Sequence, residues 1–95
     1  MSYRLRPKAE TDIAAIADYI ARDNITAAEN WVIELFETFR LLGQKSGLGR
    51  PRDDIFPGIR TLPRGSYLII FRQQDYGVLI IRVVHASRDW VKFVR

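Results

Sequence analysis

Two dense apolar runs, GSYLIIFR at 65–72 and VLIIRVVH at 78–85, are separated only by the short turn segment QQDYG. Runs of this length, rich in β-branched and aromatic residues and divided by a turn ending in glycine, pair as a β-hairpin. Alternation places Tyr67, Ile69 and Phe71 on one face of the first strand. On the second it places Leu79, Ile81 and Val83 on one face, with Arg82 on the other. The second strand ends at His85, the only histidine of the chain. Arginines stand at the ends and edges of both strands, so the sheet is expected to carry a cationic margin.

The rest of the chain has to cover that hairpin. Tyr3 to Arg6 alternates apolar and basic residues, as a short half-buried strand does, and Pro7 suits the first turn of a following helix. Ala9, Ile13, Ile16, Ala17 and Ile20 recur at spacings of three and four and form one stripe of that helix, which is expected to end near Asp23 and Asn24. Thr26-Ala27-Ala28-Glu29 matches a capping box and predicts a second helix starting at Thr26. Its stripe is Trp31, Val32, Leu35, Phe36, Phe39 and Leu42, with Gly43 as the expected stop. Residues 43–58, GQKSGLGRPRDDIFPG, carry four glycines and two prolines and predict one long loop, either functional or a plain crossing from helices to sheet. Ile59 to Leu62, Ser66 to Arg72 and Val78 to His85 then form an antiparallel meander, turning at Pro63 to Gly65 and Gln73 to Gly77. The predicted class is α+β: an N-terminal strand, an antiparallel helical hairpin and a three-stranded meander, β-α-α-β-β-β, in a single domain over 1–95.

Composition narrows the function classes. A chain of 95 residues with 47% hydrophobic and 27% charged residues can bury a normal core, about 60 to 70% of its unfolded surface. There is no cysteine, which excludes disulfides, thiolate nucleophiles and thiolate metal sites. No stretch of about 18 apolar residues occurs and the charged start has no signal-type apolar segment, so the expectation is a cytoplasmic chain with no membrane partner. The net charge of +4 is unevenly spread: residues 1–39 hold four Lys/Arg against seven Asp/Glu, and residues 40–95 hold eleven against four. A basic sheet half attracts acidic protein or nucleic acid, and its cations are mostly arginine, whose planar fork suits carboxylate and phosphate alike.

Metal and cofactor chemistry find little support, since one histidine and no cysteine leave only Asp53 and Asp54 as candidate ligands, in a loop where adjacent acids usually form a solvated turn. Ser87 lies two residues from His85, yet no carboxylate is evidently placed to orient the imidazole. What remains is a cluster after the last strand, His85, Arg88, Asp89 and Trp90, with Arg60, Arg64 and Arg82 on neighbouring strands and turns, expected to converge at one end of the sheet. His85 is either a general acid-base group or a strand-end residue donating to backbone, the commoner case. Arg88 and Asp89 pair or cap the following turn, and Trp90 is either a lid on the core or an exposed anchor. Phosphate-binding glycine motifs and RNA-stacking signatures are missing.

The order β-α-α-β-β-β, with YRLRPKAETDIAAIADYI, GLGRP, GIRTLPRGSYLIIFR and above all VLIIRVVHASRD, resembles the RelE/ParE superfamily of bacterial toxin-antitoxin toxins over nearly the whole chain, and its ParE-type members most. The resemblance implies a type II toxin that causes growth arrest by inhibiting DNA gyrase, without catalysis of its own and without cofactor or metal. It would use Arg60, Arg64, Arg82, His85, Arg88 and Trp90 toward its target. The partner implied is a ParD-like antitoxin whose C-terminal segment folds over apolar grooves of the toxin, and operator DNA is reached only through that antitoxin. RelE-type ribosome-dependent mRNA cleavage is the alternative, with His85, Arg64 and Arg82 as its catalytic set. Against it, Leu68 stands where those ribonucleases carry an arginine after the strand tyrosine, Phe93 where they carry a late tyrosine, and Ala86 where histidine-bearing relatives have a tyrosine. A third reading is a non-toxic interaction domain that keeps only the fold.

Overall fold

The computed structural model describes residues 2–45 and 47–94; Ser46 of the long loop and Arg95 of the basic half lie outside them. Five strands form one sheet in the order β1-β5-β4-β3-β2. β1 is Ser2–Leu5, β2 Arg50–Pro51, β3 Ile59–Arg64, β4 Tyr67–Gln74 and β5 Gly77–His85. β1 runs parallel to the first half of β5, while β3, β4 and β5 form the antiparallel meander. The helices α1, Pro7–Ala21, and α2, Ile25–Gln44, pack as a hairpin on one face. A one-turn 3-10 helix, Trp90–Phe93, lies on the other face.

The helix-facing core joins Ala9 and Ile13 of α1 to Leu35, Phe39 and Leu42 of α2 and to Ile69, Phe71, Val78, Ile80 and Val83 of the sheet. The opposite face buries Ile59, Ile70, Ile81 and Val84 beneath Trp90, Phe93 and Val94. β4 keeps its expected alternation, but β5 departs from it. The register passes from Ile70 opposite Arg82 to Phe71 opposite Ile80, so one extra residue is inserted in β5. Such a bulge shifts the side-chain alternation by one. Val78 and Ile80 therefore meet the helices, and Ile81 turns to the other face, in place of the uniform Leu79, Ile81, Val83 stripe.

Three further boundaries differ from expectation. The cap of α2 is Asn24, not Thr26: its backbone is extended and its side-chain oxygen accepts from the Ala27 N–H at 3.0 Å. Asparagine is the better N-cap, and the helix starts one residue before the threonine. Replacing Asn24 by Ala is expected to cost about 1 kcal/mol in chemical denaturation, whereas Thr26→Ala should change little. Gly43 does not stop α2 but lies buried in its last turn, where a Cβ would come 2.7 Å from the Ser2 carbonyl oxygen. Its missing side chain lets β1 cross the helix closely. β3 runs through Pro63 to Arg64, leaving a two-residue turn at Gly65 and Ser66.

The long loop is also more ordered than its composition suggests, since Arg50 and Pro51 pair with Thr61 and Arg60 as a fifth strand. Gly49, at φ 85°, presses against the sheet where a Cβ would meet the Thr61 carbonyl oxygen and the Phe71 ring. Only glycine tolerates that combination of φ and approach.

Candidate functional site

Two surface features stand out. The first is a groove of about 470 Å³ between the helices, with an apolar lining of Ala17, Ala21, Ile25, Ala28, Val32 and Ile33 and the carboxylates Asp18 and Glu29 beside it. Small residues at 17, 21 and 28 keep the helices low there, and Ile25 and Ile33 stay 66% and 57% exposed beside it. Exposed isoleucines next to an apolar trough are what a partner's side chains would cover. The sequence reading passed over it because Ile25 and Ile33 lie off the buried stripe of α2; two isoleucines off that stripe were the available signal.

The second feature gathers at the end of the sheet where β3, β4 and β5 bring Arg64, Tyr67 and His85 side by side. Trp31, Tyr67 and His85 stack edge to face, with ring centroids 5.5 and 5.3 Å apart. A cleft of about 150 Å³ on one side of Tyr67 is lined by Asp12, Ile16, Arg82, His85 and Arg88. Arg64 lies on the other side with Trp31 and Glu34. Of the residues expected to converge, Arg64, Arg82, His85 and Arg88 do so around Tyr67.

Arg60 and Trp90 do not join them. Arg60 donates to the carbonyls of Leu48, Gly47 and Gly49 at 3.1, 2.6 and 3.1 Å and so folds the GLGRP segment against β3. Trp90 packs on the opposite face of the sheet, with the Arg52 guanidinium 5.3 Å from its ring centroid. It is a half-buried lid on the second core, the first of the two placements weighed from the sequence.

Much of the cationic margin is already engaged. Arg82 forms a two-pronged bond to Asp12 of α1 at 2.7 and 2.8 Å, and the same carboxylate accepts from the Val83 N–H at 3.0 Å. Beyond Ile80, β1 no longer pairs with β5, and Asp12 satisfies this stretch of strand edge in its place. The hydrogen bond to Asp12 and its charge raise the Arg82 pKa further above its ordinary value. Arg64 lies 3.8 Å from Glu34 in an exposed pair, worth little in water. Lys92 lies 3.9 Å from Asp89, so Asp89 faces that lysine rather than Arg88. Arg88 instead stands 5.0 Å from the Phe93 ring centroid.

His85 is held by its own turn. The Ser87 N–H donates to Nδ1 at 3.1 Å and Ser87 Oγ lies 2.6 Å from the same atom. With Nδ1 accepting from backbone, the proton of the neutral ring resides on Nε2. The histidine thus accepts from backbone instead of donating to it. The two acids weighed as metal ligands are also accounted for: Asp53 accepts from the Gly58 N–H, and Asp54 bonds Arg52, whose guanidinium holds that carboxyl below its ordinary range.

This architecture can be set beside known proteins. The family model described as ParE toxin of the type II toxin-antitoxin system parDE matches residues 3–90. The chain belongs to the ParE toxin family. It is 31% identical over 88 residues to Toxin ParE1 of Caulobacter vibrioides, covering 92% of this chain and 91% of that one. It is 30% identical over 89 residues to Toxin ParE1 of Mycobacterium tuberculosis, with the same coverage. A solved structure titled as the chromosomal ParDE toxin-antitoxin system of P. aeruginosa superposes with a TM-score of 0.74 at 29% identity, over 92% of this chain and 97% of that chain. The α+β architecture read from the sequence is thus shared with a solved ParDE protein. This ParE-family chain is a toxin of a type II toxin-antitoxin system.

Proposed function

We propose that the chain inhibits DNA gyrase as a binding poison, and that a ParD-type antitoxin neutralises it by seating an apolar helical segment in the α1–α2 groove. The observation that carries the first part is the state of the sheet-end cluster. Phosphodiester cleavage needs free cations for the developing negative charge and a positioned proton donor or acceptor. Here Arg82 is bonded to Asp12, Nδ1 of His85 is occupied by the Ser87 turn and Phe93 has no hydroxyl, so of the candidate catalytic set only Arg64, in a weak exposed pair with Glu34, keeps its side chain available. A surface of aromatic rings and arginines around Tyr67 is better suited to gripping a protein than to turnover. The ParE character of the matched family and relatives supports the same direction.

The groove supports the second part. An amphipathic helix laid in an apolar trough is a common recognition mode, and Ile25, Ile33 and Val32 provide the anchoring surface. In the cytoplasm the toxin would meet both partners in the same compartment.

Inducing the gene alone in a bacterial host, with a DNA-damage reporter, tests the reading. Growth arrest with strong reporter induction is expected. Arrest without DNA damage, together with codon-internal mRNA cuts in a translating extract that disappear in His85→Gln, would instead select ribosome-dependent cleavage. Harmless expression would select an interaction domain without toxicity.

A further inference from the structure

The sheet face turned away from the helices carries a second recess, of about 550 Å³, that shares no lining residue with the hairpin groove. Its floor is buried Ile81 with half-buried Phe93, and Phe56, 41% exposed, forms a wall. Its rim is Arg6 at the entry to α1, Lys8 in the first turn, and Arg82. Arg82 is balanced by Asp12, but neither Arg6 nor Lys8 makes an ion pair among the described residues. Among those residues no carboxylate lines the recess.

An apolar floor inside a rim where Arg6 and Lys8 have no acid partner among the described residues selects an occupant that is apolar at its tip and anionic around it. Single-stranded nucleic acid and acidic peptide both carry negative charge, and the rings distinguish them. Bases bind such surfaces by stacking on open aromatic faces. Here the Arg72 guanidinium stands over Phe56, 5.5 Å from the ring centroid, and Arg82 and Arg88 stand over Phe93 at 4.9 and 5.0 Å. With ring faces already occupied by cations, what the recess offers is aliphatic surface on Ile81 and Val94 and the edges of the two rings.

We infer that this recess docks an acidic peptide segment of a partner protein, inserting one aliphatic side chain between flanking carboxylates that meet Arg6 and Lys8. The site shares no residue with the hairpin groove, and of the sheet-end cleft it shares only Arg82. Charge complementarity on the rim would set encounter rate and salt sensitivity, and the buried aliphatic side chain would set residence.

The test pans a random library of displayed short peptides against the full chain and measures the enriched peptides by fluorescence anisotropy. The expected motif is Leu or Ile flanked by Asp or Glu. Its affinity should fall about tenfold or more, at least about 1.4 kcal/mol, in the double variant Arg6→Glu, Lys8→Glu, and also in Phe56→Ser, three exposed positions whose change leaves the core intact. Ile33→Glu in the hairpin groove should leave it unchanged. Absence of enrichment, a motif without acids, indifference to the charge reversal, loss in Ile33→Glu, or displacement of the peptide by oligothymidylate at lower concentration would each overturn the proposal.

Discussion

Asp12→Ala should destabilise the fold by about 2–4 kcal/mol, the largest loss expected from any single polar substitution here. The carboxylate accepts three hydrogen bonds, two from Arg82 and one from the Val83 N–H, on the stretch of β5 that β1 does not reach. Removing it leaves a guanidinium unpaired and a strand-edge N–H without a partner. The range is set below that of a fully buried pair because the Arg82 and Asp12 side chains remain 15% and 14% exposed. Asp12→Asn keeps one acceptor and should lose less. The double variant Asp12→Leu, Arg82→Met removes both charges and should recover part of the loss, since a well-packed apolar pair can replace an ion pair at little cost. Urea denaturation of the four proteins checks the pattern. A loss below about 1 kcal/mol in Asp12→Ala would mean that the pair only decorates the edge.

Ile33→Glu should weaken the ParD-type antitoxin about 100-fold, close to 3 kcal/mol, while leaving folding and toxicity in place. The side chain is 57% exposed in the free toxin, so a carboxylate there costs the monomer little. In the complex the same carboxylate would be buried against apolar surface without a partner. Calorimetric titration of the purified pair reads the affinity, and co-expression reads the consequence: growth arrest that the antitoxin no longer relieves. Unchanged affinity would place the antitoxin outside this groove.

The elements were legible because each rests on a local rule. Pro7 and the Ile13, Ile16, Ile20 stripe define α1, and the two β-branched runs define the central hairpin. What sequence could not convey came from contacts between distant residues. The β5 bulge follows from fitting one strand to β1 on one side and β4 on the other, and no local pattern marks Ile81 as its turning point. Gly43 reads as a helix stop by propensity, but the passage of Ser2 over α2 requires a glycine inside the helix. The charge imbalance between the halves was visible in the sequence, yet the pairs that offset part of it were not. Asp12 and Arg82 are seventy residues apart in sequence, and Glu34 and Arg64 thirty, so pairing them needed the fold. Arg60, read from the sequence as a target contact, also holds the GLGRP segment, a role that only the carbonyl positions reveal.

Central to this account is a toxin that acts by holding its target and turns over no substrate. Purified gyrase, relaxed plasmid and ATP, titrated with this protein, put that to the most direct test. The account predicts loss of supercoiling and accumulation of cleaved plasmid in proportion to toxin bound, reversed by adding the antitoxin and retained in His85→Gln. Full supercoiling at a molar excess of folded toxin would contradict it.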